Sequence, residues 1–165
     1  MSKLKKVIKK VYRAIMPWGD VSKKIYASYW KMRKAYKKGN RFLANFYSYR
    51  IEKKYRCLIS PGAEIGCDLL LPHPNGVVIG GGSQIGKNVT VYQQVTIGKN
   101  HGKYPVIGNG VIIYAGAKIV GGVRIGDNSI IGANAVVVCD VPDNSIWGGV
   151  PAKKIKDRDE KGAYS

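Results

Sequence analysis

Apolar positions recur every six residues through much of this chain. Starting at Ile59, steps of six reach Ile65 and Leu71. After a two-residue surplus the step resumes at Ile79, Ile85, Val91 and Ile97, and after a longer interruption at Ile107, Ile113, Ile119, Ile125, Ile131 and Val137. Every one of these anchors is Ile, Leu or Val, types that fill only about a quarter of the chain, so the phase is not chance. The residue after the anchor is often Gly (Gly66, Gly86, Gly98, Gly108, Gly126, Gly132), and the fourth residue after it is mostly small or aliphatic. A period of six suits neither an α-helix nor an alternating strand. It predicts a parallel β-helix in which each hexapeptide makes one short strand and one corner. Three strands close a triangular coil, so the anchors predict roughly four coils stacked at about 4.8 Å, with a core of Ile and Val ladders.

Residues 1–56 follow a helical period instead. Leu4, Val7, Ile8, Val11, Tyr12 and Ile15 share one face, with lysines and Arg13 opposite. Asp20 is placed to cap a second helix running to about Lys38, with Gly39 as its stop. Asn40 is placed to cap a third, with Phe42, Leu43, Phe46, Tyr47 and Ile51 at helical spacing. Such helices are expected to pack on the prism or on each other, and to cover strand edges at its N-terminal end. The chain is therefore read as a basic α-helical region (1–56), a β-helix domain (57–156) and a charged tail (157–165).

Charge separates these regions. The chain carries net +18, of which residues 1–56 hold +16, their only acids being Asp20 and Glu52. Two readings follow for this surplus: a Lys face over residues 3–13 lying on an anionic membrane, with Trp18 and Trp30 at the interface, or a solvated basic face on helices packed against the prism. No nucleic-acid motif accompanies the charge, and no nucleic-acid partner is expected. No apolar run approaches a membrane span or a secretory signal, which points to a cytoplasmic protein, peripheral on the inner face of the membrane if the first reading holds. Cys57, Cys67 and Cys139 lack metal-ligand or disulfide spacing; they read as small half-buried thiols, and no metal is expected.

Three stretches in order, LPHPNGVVIGGGSQIGKNVTVYQQVTIG, YPVIGNGVIIYAGAKIVGGVRIGDNSIIGANAVVV and VPDNSIWGGVPAKKI, resemble the hexapeptide-repeat acyltransferases, within them the serine acetyltransferase-like branch that includes polysaccharide O-acetyltransferases. The resemblance covers about residues 57–156. It implies a left-handed winding, a homotrimer with active sites at subunit junctions, and acetyl-CoA as acyl donor. His73, in Leu71-Pro72-His73-Pro74-Asn75-Gly76, falls on the family's catalytic histidine. Independently, the two-residue surplus and its two prolines are expected to present a stiffened imidazole, a suitable general base for a hydroxyl proton. His101, in the interruption at 99–106, is the second candidate, as an acceptor contact or alternative base, with Asn75, Lys103 and Tyr104 as further acceptor-side residues. The resemblance places acetyl-CoA along Gln93, Gly98, Ala115 and Ala133, with Lys153 or Lys154 near its 3′-phosphate. Asn75, Asp68 or a backbone carbonyl are candidates to orient the imidazole.

Departures from the serine enzymes shape the acceptor expectation. The family's base-orienting aspartate falls on Leu58, its serine-contacting aspartate on Pro72, and its Arg-His pair on Lys103-Tyr104. Groups to clamp an amino acid's two charges are thus missing from those places. A carbohydrate hydroxyl, in a capsule or exopolysaccharide precursor, is the expected acceptor. Serine is the alternative, and a non-catalytic, membrane-associated trimeric scaffold is the alternative of another class.

Overall fold

A computed structural model describes residues 18–158. Two helices precede the prism. Helix α1 is Trp18–Lys37 and helix α2 is Arg41–Tyr55. Trp18 is already helical, so Asp20 lies inside α1 and is not its cap. Gly39, at φ +77°, ends α1, and the Asn40 N–H reaches back to the Ala35 carbonyl at 3.0 Å. The Asn40 side chain accepts from the Leu43 N–H at 2.9 Å and so caps α2. The inner face of α2 is not the expected aromatic one. Ala44, Ser48 and Ile51 are buried, whereas Phe42 and Phe46 are exposed. Small residues let α2 lie close to α1, and the bulky rings have room only outside. The basic face expected over residues 3–13 lies outside the described residues.

Fourteen short strands, β1–β14 in chain order, form three sheets. Sheet A stacks β1 (Leu58–Ile59), β3 (Val78–Ile79), β6 (Thr96–Gly98), β9 (Lys118–Val120) and β12 (Val136–Val137). Sheet B stacks β2 (Glu64–Ile65), β4 (Gln84–Ile85), β7 (Val106–Ile107) and β10 (Arg124–Ile125). Sheet C stacks β5 (Thr90–Val91), β8 (Ile112–Ile113), β11 (Ile130–Ile131), β13 (Ser145–Gly148) and β14 (Lys153–Asp157). As far as β13, consecutive strands belong to different sheets, so the chain winds as a parallel β-helix, and the winding is left-handed; β14 then folds back antiparallel on β13. The Leu70–Thr90 bridge adds a first rung to sheet C, and the Ile125–Val141 bridge adds a last rung to sheet B.

Every six-step anchor is buried in this prism. Register aligns them: Ile59, Ile79, Ile97, Ile119 and Val137 stack within sheet A. Full burial of such a side chain contributes about 1.5–3 kcal/mol, so the column makes a continuous core from very short strands. The roughly four coils predicted extend into a fifth, because Val141 and β13 carry the winding on beyond Val137 in β12. Of the thiols only Cys57 is buried, and burial pushes it up to about 12; Cys67 and Cys139 are exposed.

The helices close the first coil with side-chain hydroxyls. Ser22 accepts from the Leu71 N–H at 2.9 Å and donates to the Leu71 carbonyl at 3.0 Å. Tyr29 accepts from the Ile65 N–H at 2.9 Å and donates to the Ala63 carbonyl at 3.0 Å. Ser48 donates to the Ile59 carbonyl at 2.9 Å. Each sheet thus receives a hydroxyl where its next strand would stand.

Candidate active site

Sheet C passes to sheet A through a corner that carries residues 72–76 on its lowest rung. Four attachments fix that turn. Leu71 is held by Ser22, and Pro74 is buried. The Gln94 N–H donates to the Asn75 carbonyl at 2.9 Å, and the Gly76 N–H donates to the Arg56 carbonyl at 2.7 Å. Gly76 has φ +73°, a conformation that glycine adopts without the Cβ clash. His73 is exposed on this restrained turn. The rigidity comes from its surroundings as well as from its prolines.

Register carries the corner upward. Leu70 pairs with Thr90, Val91 with Ile113, and Ile113 with Ile131. At the corner that follows, Asn75, Gln93, Ala115 and Ala133 occupy successive rungs of one column, and His73 stands in the two-residue surplus just before its foot. Three rung spacings separate Asn75 from Ala133, about 14 Å. The Gln93 carbonyl accepts from Gly116, and the Ala115 carbonyl accepts from Asn134. The Gln93 Oε1 is buried and has no hydrogen-bond partner among the described residues. A buried acceptor is costly to leave unpaired, so this atom fits an amide N–H donated by a ligand lying along the column. Beside the column, Tyr92 and Tyr114 stack with ring centroids 5.2 Å apart.

The second histidine belongs to a different corner. Asn100 and Lys103 exchange two backbone hydrogen bonds of 3.0 Å, closing a tight hairpin with His101 and Gly102 at its tip, both at positive φ. The Tyr104 ring lies on the turn at Gly80–Gly82: a Cβ on Gly80 would come within 2.9 Å of Tyr104 Cε1, and one on Gly82 would meet the ring more closely. Lys103 packs over Gly122 in the same way, a Cβ there coming 2.9 Å from Lys103 Cδ. Tyr104 and the Lys103 stem are therefore fastened to the prism. His101 stands exposed at the hairpin tip, across sheet A from His73 and two coils above it.

The remaining expected residues are spread out. Gly98 ends β6 at the hairpin corner, where its carbonyl accepts from Gly121 at 3.1 Å, and it is not in the column of Gln93, Ala115 and Ala133. Asp68 sits at the other corner of sheet C, between β2 and Leu70. Lys154 is engaged with Asp157 at 2.7 Å, while Lys153 is exposed on β14. The resemblance alone pointed to Gln93; its orphaned oxygen emerges from packing.

Residues 104–139 match the family model for bacterial transferase hexapeptide (six repeats). Serine acetyltransferase of Helicobacter pylori (strain J99 / ATCC 700824) is 50% identical over 105 residues, covering 61% of this chain and 61% of the relative. The crystal structure of serine acetyltransferase in complex with coenzyme A from Brucella abortus strain S19 superposes with TM-score 0.77 at 32% identity, covering 81% of this chain and 55% of that one. This chain belongs to the hexapeptide-repeat acyltransferases. Within that family it falls in the serine acetyltransferase-like branch. Soybean serine acetyltransferase complexed with serine gives TM-score 0.77 at 34% identity, over 79% of this chain and 56% of that one. The chain thus spans about three fifths of the length of the Helicobacter relative and little more than half of the solved ones.

Two expectations are corrected by these findings. The carbohydrate acceptor falls, because the named relatives are serine acetyltransferases and the soybean structure holds serine. The expectation weighed only Pro72 and the Lys103-Tyr104 pair as places for charge, and overlooked what α2 brings to the same region. The anionic membrane surface is likewise withdrawn. No helix among the described residues is long and apolar enough to cross a membrane. Several aromatic residues of α1 are committed to the prism: Tyr29 is buried, and the Tyr26 hydroxyl donates to the Gly66 carbonyl at 2.7 Å.

Proposed function

We propose that this chain is an acetyl-CoA-dependent O-acetyltransferase whose acceptor is serine, with His73 as general base. The observation that carries the reading is the column that rises from the turn bearing His73: an exposed imidazole on that restrained turn, Asn75 at the column's foot, the orphaned Gln93 oxygen above it, then Ala115 and Ala133. Small residues leave room for an extended thioester arm, and the Gln93 Oε1 accepts from one of its amides. Lys153 lies at the far end of the prism as a partner for a phosphate. The named relatives supply the donor and the acceptor: one is solved with coenzyme A and another with serine.

Acetyl-CoA brings an acetyl group already activated as a thioester. His73 takes the proton from the serine hydroxyl as that oxygen bonds to the acetyl carbon. The carbon–sulfur bond breaks, and the imidazolium returns the proton to the departing sulfur. O-acetylserine and CoA result, with no covalent enzyme intermediate. His101 is assigned no proton transfer, because its hairpin stands on the other side of sheet A. A cytoplasmic setting belongs to the same proposal.

The test is CoA release by the purified chain with acetyl-CoA and L-serine. Steady release that His73→Ala abolishes supports the reading. Unchanged turnover in that variant rejects His73 as the base. No release from the unaltered chain, together with no rise in its melting temperature on adding acetyl-CoA, supports the non-catalytic scaffold instead.

A further inference from the structure

We infer that the C-terminal end of α2 holds the acceptor by its two charges: Arg56, helped by Lys53, takes the carboxylate, and Glu52 takes the ammonium. The inference rests on the serine reading and adds the residues that would recognise an α-amino acid. A cleft of about 560 Å³ separates the end of α2 from sheet A. Tyr49, Glu52, Lys53 and Arg56 line it from the helix, and Leu58 and Asn75 line it from the prism. Asn75 and Gly76, which also borders the cleft, belong to the turn that carries His73. The charged cleft therefore adjoins the turn that carries His73.

The placement is fixed by backbone. Arg56 caps α2 in the left-handed conformation at φ 53°, its N–H donating to the Glu52 carbonyl at 2.8 Å. Its own carbonyl receives the Gly76 N–H, so the helix end and the His73 turn are tied as one unit. Lys53 Nζ stands 5.6 Å from the Tyr49 ring centre, which limits where that cation points. Glu52, Lys53 and Arg56 are exposed, and none takes part in the ion pairs found among the described residues, which are Arg33–Glu64 and Lys154–Asp157. The cleft between α1 and sheet B differs on this point, since its Arg33 and Glu64 already neutralise each other. Two cations and one anion, uncommitted around one cleft, complement a zwitterion; a guanidinium takes a carboxylate with two parallel hydrogen bonds. The clamp absent from Pro72 and Lys103-Tyr104 is supplied here by a helix.

The test uses the full chain and three acceptors: L-serine, L-serinamide, which lacks the carboxylate, and 3-hydroxypropionate, which lacks the ammonium. Arg56→Gln is expected to raise the KM for L-serine about tenfold or more, while the KM for acetyl-CoA stays within about twofold. The same variant should leave the KM for L-serinamide unmoved. Glu52→Gln should weaken L-serine similarly and leave 3-hydroxypropionate unmoved. If the unaltered chain turns over L-serine and both variants keep its KM, this inference alone is overturned. If the unaltered chain releases no CoA with L-serine, the serine reading fails and takes the inference with it.

Discussion

The surplus after Leu71 and the longer insertion after Ile97 each carry a histidine at a corner of the prism, yet they are held by opposite means. The first turn is fastened through polar bonds from neighbouring segments: Ser22 on Leu71, Gln94 on Asn75, Gly76 on Arg56. The second closes on itself as the Asn100–Lys103 hairpin and is glued down by the Tyr104 ring and the Lys103 stem against glycines. The first lies at the foot of a column of small residues and beside a charged cleft. The second presents its imidazole at a tip. A histidine in a break of the repeat is therefore not informative by itself; what the break leaves next to it is.

The comparison breaks most sharply in turnover. His73→Ala is expected to lower CoA release by about 10²–10⁴-fold, the usual worth of a general base, with the melting temperature nearly unchanged. His101→Ala should stay within about tenfold of the unaltered chain. Equal losses in the two variants would erase the functional difference between the corners. Tyr104→Ala should destabilise the fold by about 2–4 kcal/mol in urea unfolding, because it empties the seat over Gly80–Gly82. Gly82→Ala should also destabilise, and less so in a Tyr104→Ala background, where the ring it collides with is gone; additive losses would separate the two residues. Ser22→Ala leaves the Leu71 N–H and carbonyl unpaired under the His73 turn and should cost about 1–3 kcal/mol in the same measurement.

The smallest effect concerns a corner that neither histidine uses. The Asp127 carboxylate accepts from the Asn109 N–H at 2.7 Å, and this bond and the Asn109 side chain hold its pKa below the usual carboxylate range. A carboxyl lowered by folding stabilises above the unfolded value, and that stabilisation is lost as pH falls through the folded one. Asp127→Asn should therefore lower stability slightly near neutrality and flatten the acid limb of a stability–pH curve, the two curves meeting at low pH.

Much of the prism was legible because a six-residue period has a single geometric meaning: each anchor from Ile59 to Val137 must point inward. The period marked His73 and His101 alike, as residues in its two breaks, and the resemblance singled out His73. The seat of Tyr104 was not, since Gly80–Gly82 read as ordinary corner glycines until a ring from the next coil was found on them. The inner face of α2 was misread, because Phe42 and Phe46 suggested a core that Ala44 and Ser48 in fact make. Glu52 and Arg56 were counted only toward the basic surplus. Their relation to Asn75 arises where the helix end meets the first corner, a contact that no spacing along the chain encodes.

The hydroxyls of Ser22, Tyr29 and Ser48 have one more effect. A stack of flat strands is a template for another stack, and an open rung invites end-to-end growth into fibres. Here the outermost peptide groups at Leu71, Ile65 and Ile59 are already answered by oxygens on helices, which cannot pass the pattern on. Removing those oxygens would cost stability and would also expose a surface on which polymerisation can begin.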